Sequence, residues 1–358
     1  MHQLPSGKNV LGTSEKVKDP VTFGGKYRVF AAFIICAALL GAAFAISSIW
    51  RSTDSGTSFF EKLGSFFSQD EDGGEDLPPV TDLPDMTTPP SPESPSVPSD
   101  AITVISKDLS CSSLGENYYL NETDYLPDIN ALLGTKLDLT ANESGAPLVL
   151  IVHTHTVESY LPNGSEYVEG QLSDAIYSEH TDKNMLAVGK ALVARLAENG
   201  ISALQCTVTH TGEGMSLQGA YGREAESVKG YLKQYPSIRL VIDLHRDSIM
   251  TESGEYVRSE VPENGELAQV MAVVGTDSNG TPCEWERNLS LALQLRQALN
   301  TECTGLARPV YLRRASFNQE LAEYSLLLEV GTGGNSIEQA KRTAERIGDA
   351  LADLIFKN

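Results

Sequence analysis

Histidine and carboxylate side chains follow several apolar runs that read as buried strands. The run LVLIVHTHTVESY places His153 and His155 directly after five apolar residues, and Glu158 follows three residues later. A second run ends in His245, within VIDLHRDS, and a third ends in Glu329, within SLLLEVGTGGN. Imidazole and carboxylate groups suit Zn²⁺, and three protein ligands with an open fourth position are typical of a catalytic site. These residue types therefore predict a hydrolytic site that uses a metal ion.

Glu329 is predicted to be the general base of this site. It follows three consecutive leucines, where a carboxylate is unfavourable to bury unless it is paired or functional. Partial desolvation would raise its pKa towards the working pH, which suits a group that takes a proton from water. A structural ion pair with Arg313 or Arg314 is the alternative for this residue.

Short apolar strands and amphipathic helices alternate along the chain and would position these residues. Strands are predicted at 148–152, 201–208, 239–245, 267–274, 308–312 and 325–330, and helices at 183–198, 216–233, 286–302 and 336–356. The last helix has Asn335 as its predicted N-cap, with Glu338 three residues later. We predict an α/β fold, an open and mostly parallel sheet with helices on both faces. Ligands bind outside the carboxyl ends of such strands, where His155, His245 and Glu329 would meet.

The first hundred residues differ in composition from the rest of the chain. Residues 29–50 hold no charged side chain, and these twenty-two residues would span about 33 Å as a helix, enough to cross a membrane. Basic residues at 1–28 predict a cytoplasmic tail before a single-pass transmembrane anchor, with a cleaved signal peptide as the alternative. Residues 51–100 are rich in Pro, Ser and acidic residues and predict a disordered linker. An N-terminal extension at 101–146 and a catalytic domain at 147–358 would follow.

Charge and motif content exclude several classes of function. The formal net charge of −21 argues against a nucleic-acid partner, because a phosphate backbone would repel such a surface. The five cysteines show no CxxC spacing, which excludes a cysteine zinc knuckle. The sequence also lacks a GxSxG elbow and an HExxH helix, so it supports neither an α/β-hydrolase serine nor a zincin protease.

Three segments carry a resemblance to a known family. HTHTVESY, VIDLHRDS and FNQELAEYSLLLEVGTGGNS resemble the stage II sporulation protein P family, over roughly residues 146–356. The domain is similar, more distantly, to zinc-dependent N-acetylmuramoyl-L-alanine amidases of bacterial cell walls. The resemblance implies a peptidoglycan hydrolase, both amidase and endopeptidase, anchored in the mother-cell membrane and facing the intermembrane space. It also implies stage II sporulation proteins D and M as partners in engulfment. A non-catalytic peptidoglycan-binding or scaffold module of the same fold is the alternative.

The resemblance also assigns residues to the metal. It favours His155 over His153 as the first zinc ligand. His245 matches the third ligand, and Glu329 matches the catalytic glutamate on the last strand. The second ligand stays open between three residues: His180, Glu179 and Glu158.

Neighbouring charged residues receive roles in the same way. Arg246, next to a metal ligand, is predicted to clamp a carboxylate of the stem peptide, with a structural pair to Asp243 or Asp247 as the equal alternative. Either aspartate would also orient His245 through its second ring nitrogen. Arg223 matches an arginine that amidases carry before their substrate loop, with a solvent-facing helix charge as the alternative.

Overall fold

The computed structural model describes most of the chain after its first hundred residues. The described residues are 98, 100–115, 117–140, 145–262, 264–278, 281–282 and 284–357. The predicted cytoplasmic tail at 1–28 and the predicted membrane anchor at 29–50 lie outside the described residues, as does nearly all of the predicted linker.

The described elements alternate between strands and helices. The strands are β1 (Ile102–Lys107), β2 (Leu120–Asn121), β3 (Val149–Val152), β4 (Tyr167–Val168), β5 (Ala203–Gln205), β6 (Leu240–Asp247), β7 (Tyr256–Val261), β8 (Asn264–Ala268), β9 (Val270–Gly275), β10 (Asp277–Ser278), β11 (Thr281–Pro282), β12 (Tyr311–Arg313) and β13 (Tyr324–Thr332). The helices are α1 (Ile129–Leu133), α2 (Leu172–Ile176), α3 (Met185–Glu198), α4 (Ala220–Gln234), α5 (Trp285–Glu302) and α6 (Ile337–Lys357).

The larger sheet positions the strands that carry the candidate functional residues. Its seven strands follow the order β2-β12-β9-β13-β6-β3-β5. Neighbouring strands are parallel except for β9 and β13, which run antiparallel. Because β3, β6 and β13 are adjacent and parallel, their carboxyl ends lie side by side at one edge of the sheet.

A second sheet contradicts the predicted fold of one open, mostly parallel sheet. Its four strands follow the order β4-β1-β7-β8, with β1 parallel to β7 and the outer pairs antiparallel. The prediction relied on continuous apolar runs, whereas β7 (YVRSEV) and β8 (NGELA) carry polar side chains along their length. The fold is therefore a mixed α/β fold with a seven-stranded and a four-stranded sheet, and β10 and β11 form a further two-stranded antiparallel sheet. The transmembrane helix of the prediction has no counterpart in the described part of the chain, where no helix is long and apolar enough to span a membrane.

The two faces of the larger sheet are covered by different helices. On one face, Ile151, Ile242 and Leu328 join one cluster of buried apolar side chains with α3, α5 and α6. On the opposite face, Val241 packs in a second cluster with Val228 of α4. Side chains alternate between the faces along a strand, so the odd-numbered positions at the ends of β6 and β13 lie on the α4 face.

Candidate metal centre

Three side chains converge at the carboxyl edge of the larger sheet. His155, Glu158 and His245 each offer one ligand atom, and these atoms lie within 4.8 Å of one another. Glu158 lies between the two histidines: Oε1 is 3.3 Å from Nδ1 of His155, and Oε2 is 3.6 Å from Nδ1 of His245. The two imidazole rings are nearly perpendicular, with centroids 5.0 Å apart.

A turn after β3 brings His155 and Glu158 to the same side. The backbone N–H of Glu158 donates to the carbonyl oxygen of His155 at 3.1 Å, which closes the turn. Glu158 then pairs with Tyr177 in an isolated antiparallel bridge, which fixes its backbone. His245 comes from β6, the strand beside β3, so one turn and one strand end build the group.

The donor set and its spacing fit Zn²⁺. Zinc binds imidazole nitrogen and carboxylate oxygen at about 2.0–2.2 Å, so tetrahedral ligand atoms stand roughly 3.4 Å apart. The separations of 3.3 Å and 3.6 Å between Glu158 and the two histidines are already of this size. Three protein ligands leave a fourth position open, as in catalytic zinc sites.

Asp243 orients His245, as the sequence suggested for one of two aspartates. Its Oδ2 lies 2.8 Å from Nε2 of His245, which leaves Nδ1 towards Glu158. The same carboxylate accepts the backbone N–H of Thr154 at 2.9 Å and its hydroxyl at 2.7 Å. Burial would raise the pKa of Asp243, but His245 and the hydrogen bonds from Thr154 hold it at about 2. An ionised carboxylate on the second ring nitrogen is the usual support of a metal-ligating histidine.

Arg246 lies behind the metal group, where a substrate cannot reach it. Its side chain is 1% exposed, and the guanidinium donates to the carbonyl oxygens of Ser159 and Ile176. Its backbone N–H donates to Oε2 of Glu158 at 3.2 Å, and Nη1 lies 3.9 Å from Oε1 of the same residue. The contacts of Arg246 thus differ from both predicted roles, the substrate clamp and the aspartate pair, and favour a supporting role beside Glu158.

Charges around the group keep Glu158 ionised and a proton on His245 in the metal-free protein. Burial would raise the pKa of Glu158, but the charge of Arg246 and the hydrogen bond from His155 hold it at about 2. Burial would lower the pKa of His245, but Asp243 and Glu158 raise it to about 10. Because a metal ligand must offer a free lone pair, metal binding would release this proton.

Glu329 lies on the neighbouring strand beside the metal group. In the register of β13 with β6 its Cα is opposite that of His245, and both side chains lie on the α4 face. Glu329 is buried, and its Oε2 has no hydrogen-bond partner. Burial and the charge of Asp247 raise its pKa to about 8, against the opposing effect of His245. The alternative partners Arg313 and Arg314 form ion pairs with other carboxylates, Glu122 and Asp124.

The other residues considered as ligands lie outside this group. His180 is exposed, and so is Glu179, whose Oε1 accepts a backbone N–H from the loop before α4. His153 is buried against α3 on the opposite face of the sheet, with Nε2 at 2.9 Å from the side-chain nitrogen of Gln205. Of the three candidates for the second ligand, the geometry favours Glu158.

Helix α4 contributes two charged side chains near the site. Arg223 donates to the carbonyl oxygen of His210 at 2.8 Å and to a second carbonyl in the loop before α4, so it braces this loop. Glu224, which the sequence reasoning missed, is 2% exposed. It lies on the buried face of α4, four residues after Ala220 and four residues before Val228. This spacing places Glu224 on the apolar face of the helix and could have revealed it in the sequence.

The chain has a mixed α/β fold with a candidate metal centre, and comparison with known proteins gives its family. The profile of the family described as Stage II sporulation protein P matches residues 100–352, and the chain belongs to this family. The resemblance read from the sequence is thereby confirmed.

Individual relatives are more distant. Stage II sporulation protein P of Bacillus subtilis (strain 168) is 27% identical over 221 residues, which are 58% of this chain and 51% of that protein. The chain thus spans about half the length of this curated relative. A solved N-acetylmuramyl-L-alanine amidase from Mycobacterium abscessus is 14% identical, with a TM-score of 0.34 over 59% of this chain and 98% of that chain. An N-acetylmuramoyl-L-alanine amidase from Clostridium difficile 630 is 12% identical, with a TM-score of 0.35 over 60% and 96%.

Proposed function

We propose that this chain is a zinc-dependent peptidoglycan hydrolase of sporulation that cleaves the amide bond between muramic acid and L-alanine. The convergence of His155, Glu158 and His245 beside Glu329 carries the proposal. Membership in the stage II sporulation protein P family supports peptidoglycan as the substrate. Cross-links between stem peptides are a proposed second substrate, and stage II sporulation proteins D and M are proposed partners.

The residues of the metal group have distinct roles in this proposal. His155, Glu158 and His245 would hold Zn²⁺, which when bound supplies a Lewis acid that polarises the scissile carbonyl and lowers the pKa of a water to about 7. Asp243 keeps the imidazole of His245 oriented. The positive charge of the buried Arg246 lowers the pKa of Glu158 and keeps this carboxylate ionised.

Glu329 is the proposed general base. Its Oε2 has no hydrogen-bond partner, and the charge of a bound Zn²⁺ would lower the pKa of this carboxyl from its metal-free value of about 8, so that it is ionised and can accept a proton from the attacking water. The carboxyl then gives this proton to the nitrogen of the leaving L-alanine, which departs as an amine. Glu329 is an ionised carboxylate again after this transfer, and the reaction needs no covalent intermediate.

Digestion of purified peptidoglycan by the full chain tests the proposal. We expect released stem peptides with a new amino group on L-alanine in the presence of zinc, no release with chelator, and recovery when zinc is restored. Mass spectrometry of the products separates amidase cleavage from cleavage of cross-links. If the chain binds peptidoglycan without zinc and releases no peptide, the hydrolase is refuted and the chain is a non-catalytic peptidoglycan-binding module.

Two variants test the second metal ligand. Glu158→Gln replaces the carboxylate inside the group, whereas His180→Asn changes an exposed side chain outside it. We expect loss of bound zinc in the first variant and unchanged zinc content in the second. The reverse result would assign the second ligand to His180.

We also propose that the domain acts outside the cytoplasm, in the space between the mother cell and the forespore. Peptidoglycan lies in this space, so a peptidoglycan hydrolase must reach it. Protease added to intact sporulating protoplasts should digest the domain, whereas a domain that is protected until lysis would refute this location.

A further inference from the structure

Two aromatic side chains form a partly exposed surface beside the metal group. The ring centroids of Tyr221, on α4, and Phe317 lie 6.0 Å apart, and the ring of Tyr221 meets that of His155 edge-on at 6.0 Å. Both rings are half-buried. We infer that Tyr221 and Phe317 form the subsite for the pyranose ring of muramic acid. This inference rests on the proposed function and deepens it by naming the part of the substrate that the rings hold.

The backbone that carries Phe317 is held in an unusual conformation. Phe317 and Asn318 have φ of 50° and 56°, a region that residues other than glycine rarely adopt. Such residues persist only where the surroundings fix them, and they cluster at ligand clamps and active sites. Asn318 supplies one restraint, because its side-chain N–H donates to the carbonyl oxygen of Tyr221 at 2.7 Å and to the carboxylate of Glu224. The loop and the first turn of α4 are therefore tied together.

A second restraint ties the same loop to the end of β9. Gln319 accepts the backbone N–H of Gly275 at 2.8 Å and donates to the carbonyl oxygen of Val273 at 2.9 Å. A Cβ at Gly275 would overlap the carbonyl oxygen of Ala315, so this approach of loop to strand requires glycine. With both ends fixed, the half-buried ring of Phe317 packs against the buried cluster of Met271, Val273 and Leu327 and also lies next to Tyr221.

Charge favours a sugar over the stem peptide as the occupant of these rings. Glu320 is exposed on the same loop. The free carboxylates of a stem peptide would be repelled by this group. Arg223, the neighbouring cation, is bonded to backbone carbonyl oxygens. A pyranose instead presents C–H bonds, whose partial positive charge is attracted by the negative face of an aromatic ring.

Binding of glycan strands freed of stem peptides tests the subsite without any hydrolysis. Titration calorimetry on the full chain should show that Phe317→Ala and Tyr221→Leu each weaken glycan binding by about three- to tenfold. Phe317→Tyr keeps a ring and should bind as the wild type does. Tyr235→Leu is the matched control, because Tyr235 forms a similar aromatic pair with Tyr231 at the opposite end of α4.

Kinetics on two substrates provide a second readout. Both variants that lose a ring should raise KM for a muropeptide. Neither should raise KM for a lactyl-peptide, which keeps the scissile amide and lacks the pyranose. Unchanged glycan binding in both variants would overturn the subsite. A loss of bound zinc or of folded structure that accounts for the whole loss of glycan binding in both variants would also overturn it.

The same measurements separate the subsite from the proposed function. If glycan binding depends on the rings but no peptide is released, the subsite is supported and the hydrolase is refuted. If peptide is released but no glycan binds, the hydrolase is supported and the subsite is refuted.

Discussion

Replacement of Glu329 by glutamine separates the chemical role of this residue from its structural one. Glutamine keeps the shape of the side chain but cannot accept the proton of the attacking water. We expect the rate of peptidoglycan cleavage to fall by about 10²- to 10⁴-fold, the usual contribution of a general base. We also expect the metal-free variant to be more stable than the wild type, because the wild-type carboxyl is buried without a full set of partners.

The size of this stability gain follows from the pKa of Glu329. The value is 4.5 for an unperturbed carboxyl and about 8 in the folded, metal-free chain. Between these values the folded protein holds a proton that the unfolded chain has released, so stability is full below pH 4.5 and falls as pH rises towards 8. At about 1.4 kcal/mol per pH unit, the wild type loses about 3 kcal/mol by pH 7. Glutamine does not titrate and should avoid this loss.

Urea denaturation of chelator-treated protein at pH 4, 6, 7 and 8 measures the effect on stability. The difference between Glu329→Gln and wild type should be near zero at pH 4 and should grow with pH. Glu345→Gln, at an exposed position on α6, is the control and should change neither stability nor activity. A folded, zinc-loaded Glu329→Gln that cleaves at the wild-type rate would refute the base, and a stability difference independent of pH would refute the buried environment.

Three further predictions concern the residues around the metal. Asp243→Asn should weaken zinc binding by about 10- to 100-fold in a competition titration, and excess zinc should restore activity; unchanged affinity would contradict the orienting role. Arg246→Met removes the guanidinium beside Glu158, which keeps only the protonated His245 at 3.6 Å, and should lower the free energy of unfolding by up to about 3–5 kcal/mol in urea, with no loss contradicting the pair. Zinc binding at pH 7 should release about one proton from His245, whose metal-free pKa is about 10. Calorimetry in buffers of different ionisation enthalpy measures the number of protons released, and the absence of proton release would contradict the raised pKa of His245.

The larger sheet and its helices were predictable because burial on both faces leaves a strong pattern in the sequence. The helices predicted at 183–198, 216–233, 286–302 and 336–356 correspond to α3, α4, α5 and α6. The second sheet left no such pattern, because β1 and β7 belong to distant parts of the chain, β1 is partly exposed, and β7 carries the polar residues Arg258, Ser259 and Glu260. Pairing between such distant strands depends on tertiary contacts that local composition does not report.

The start of α6 shows how a distant partner alters a local rule. The sequence predicted Asn335 as N-cap with Glu338, but Ser336 and Gln339 form the reciprocal cap instead. The Oδ1 of Asn335 accepts the backbone N–H groups of Thr332 and of Ser259, the latter in β7. A contact with a strand far away in sequence therefore moved the helix start by one residue.

At the site, the residues at strand ends could be predicted from the sequence, whereas the contribution of the turn after β3 could not. His155, His245 and Glu329 were identifiable because each ends an apolar run whose neighbours form one sheet edge. The choice between Glu158 and His180 depended on how the chain turns after β3, and spacing alone does not report the direction of a turn. Arg246 stands next to a ligand in sequence, yet its side chain is buried behind the group.

The pattern of buried charges distinguishes residues that support the site from the residue that reacts. Burial of a charge is strongly unfavourable unless a partner compensates it. Glu158 has Arg246, Asp243 has His245, and Asp247 has Arg308 at 2.9 Å. Among the buried carboxylates of the described residues, only Glu329 has a buried oxygen without a hydrogen-bond partner. Glu224, the other buried carboxylate near the site with a raised pKa, is hydrogen-bonded by Asn318, so of the two only Glu329 keeps an oxygen available for proton transfer beside the metal group.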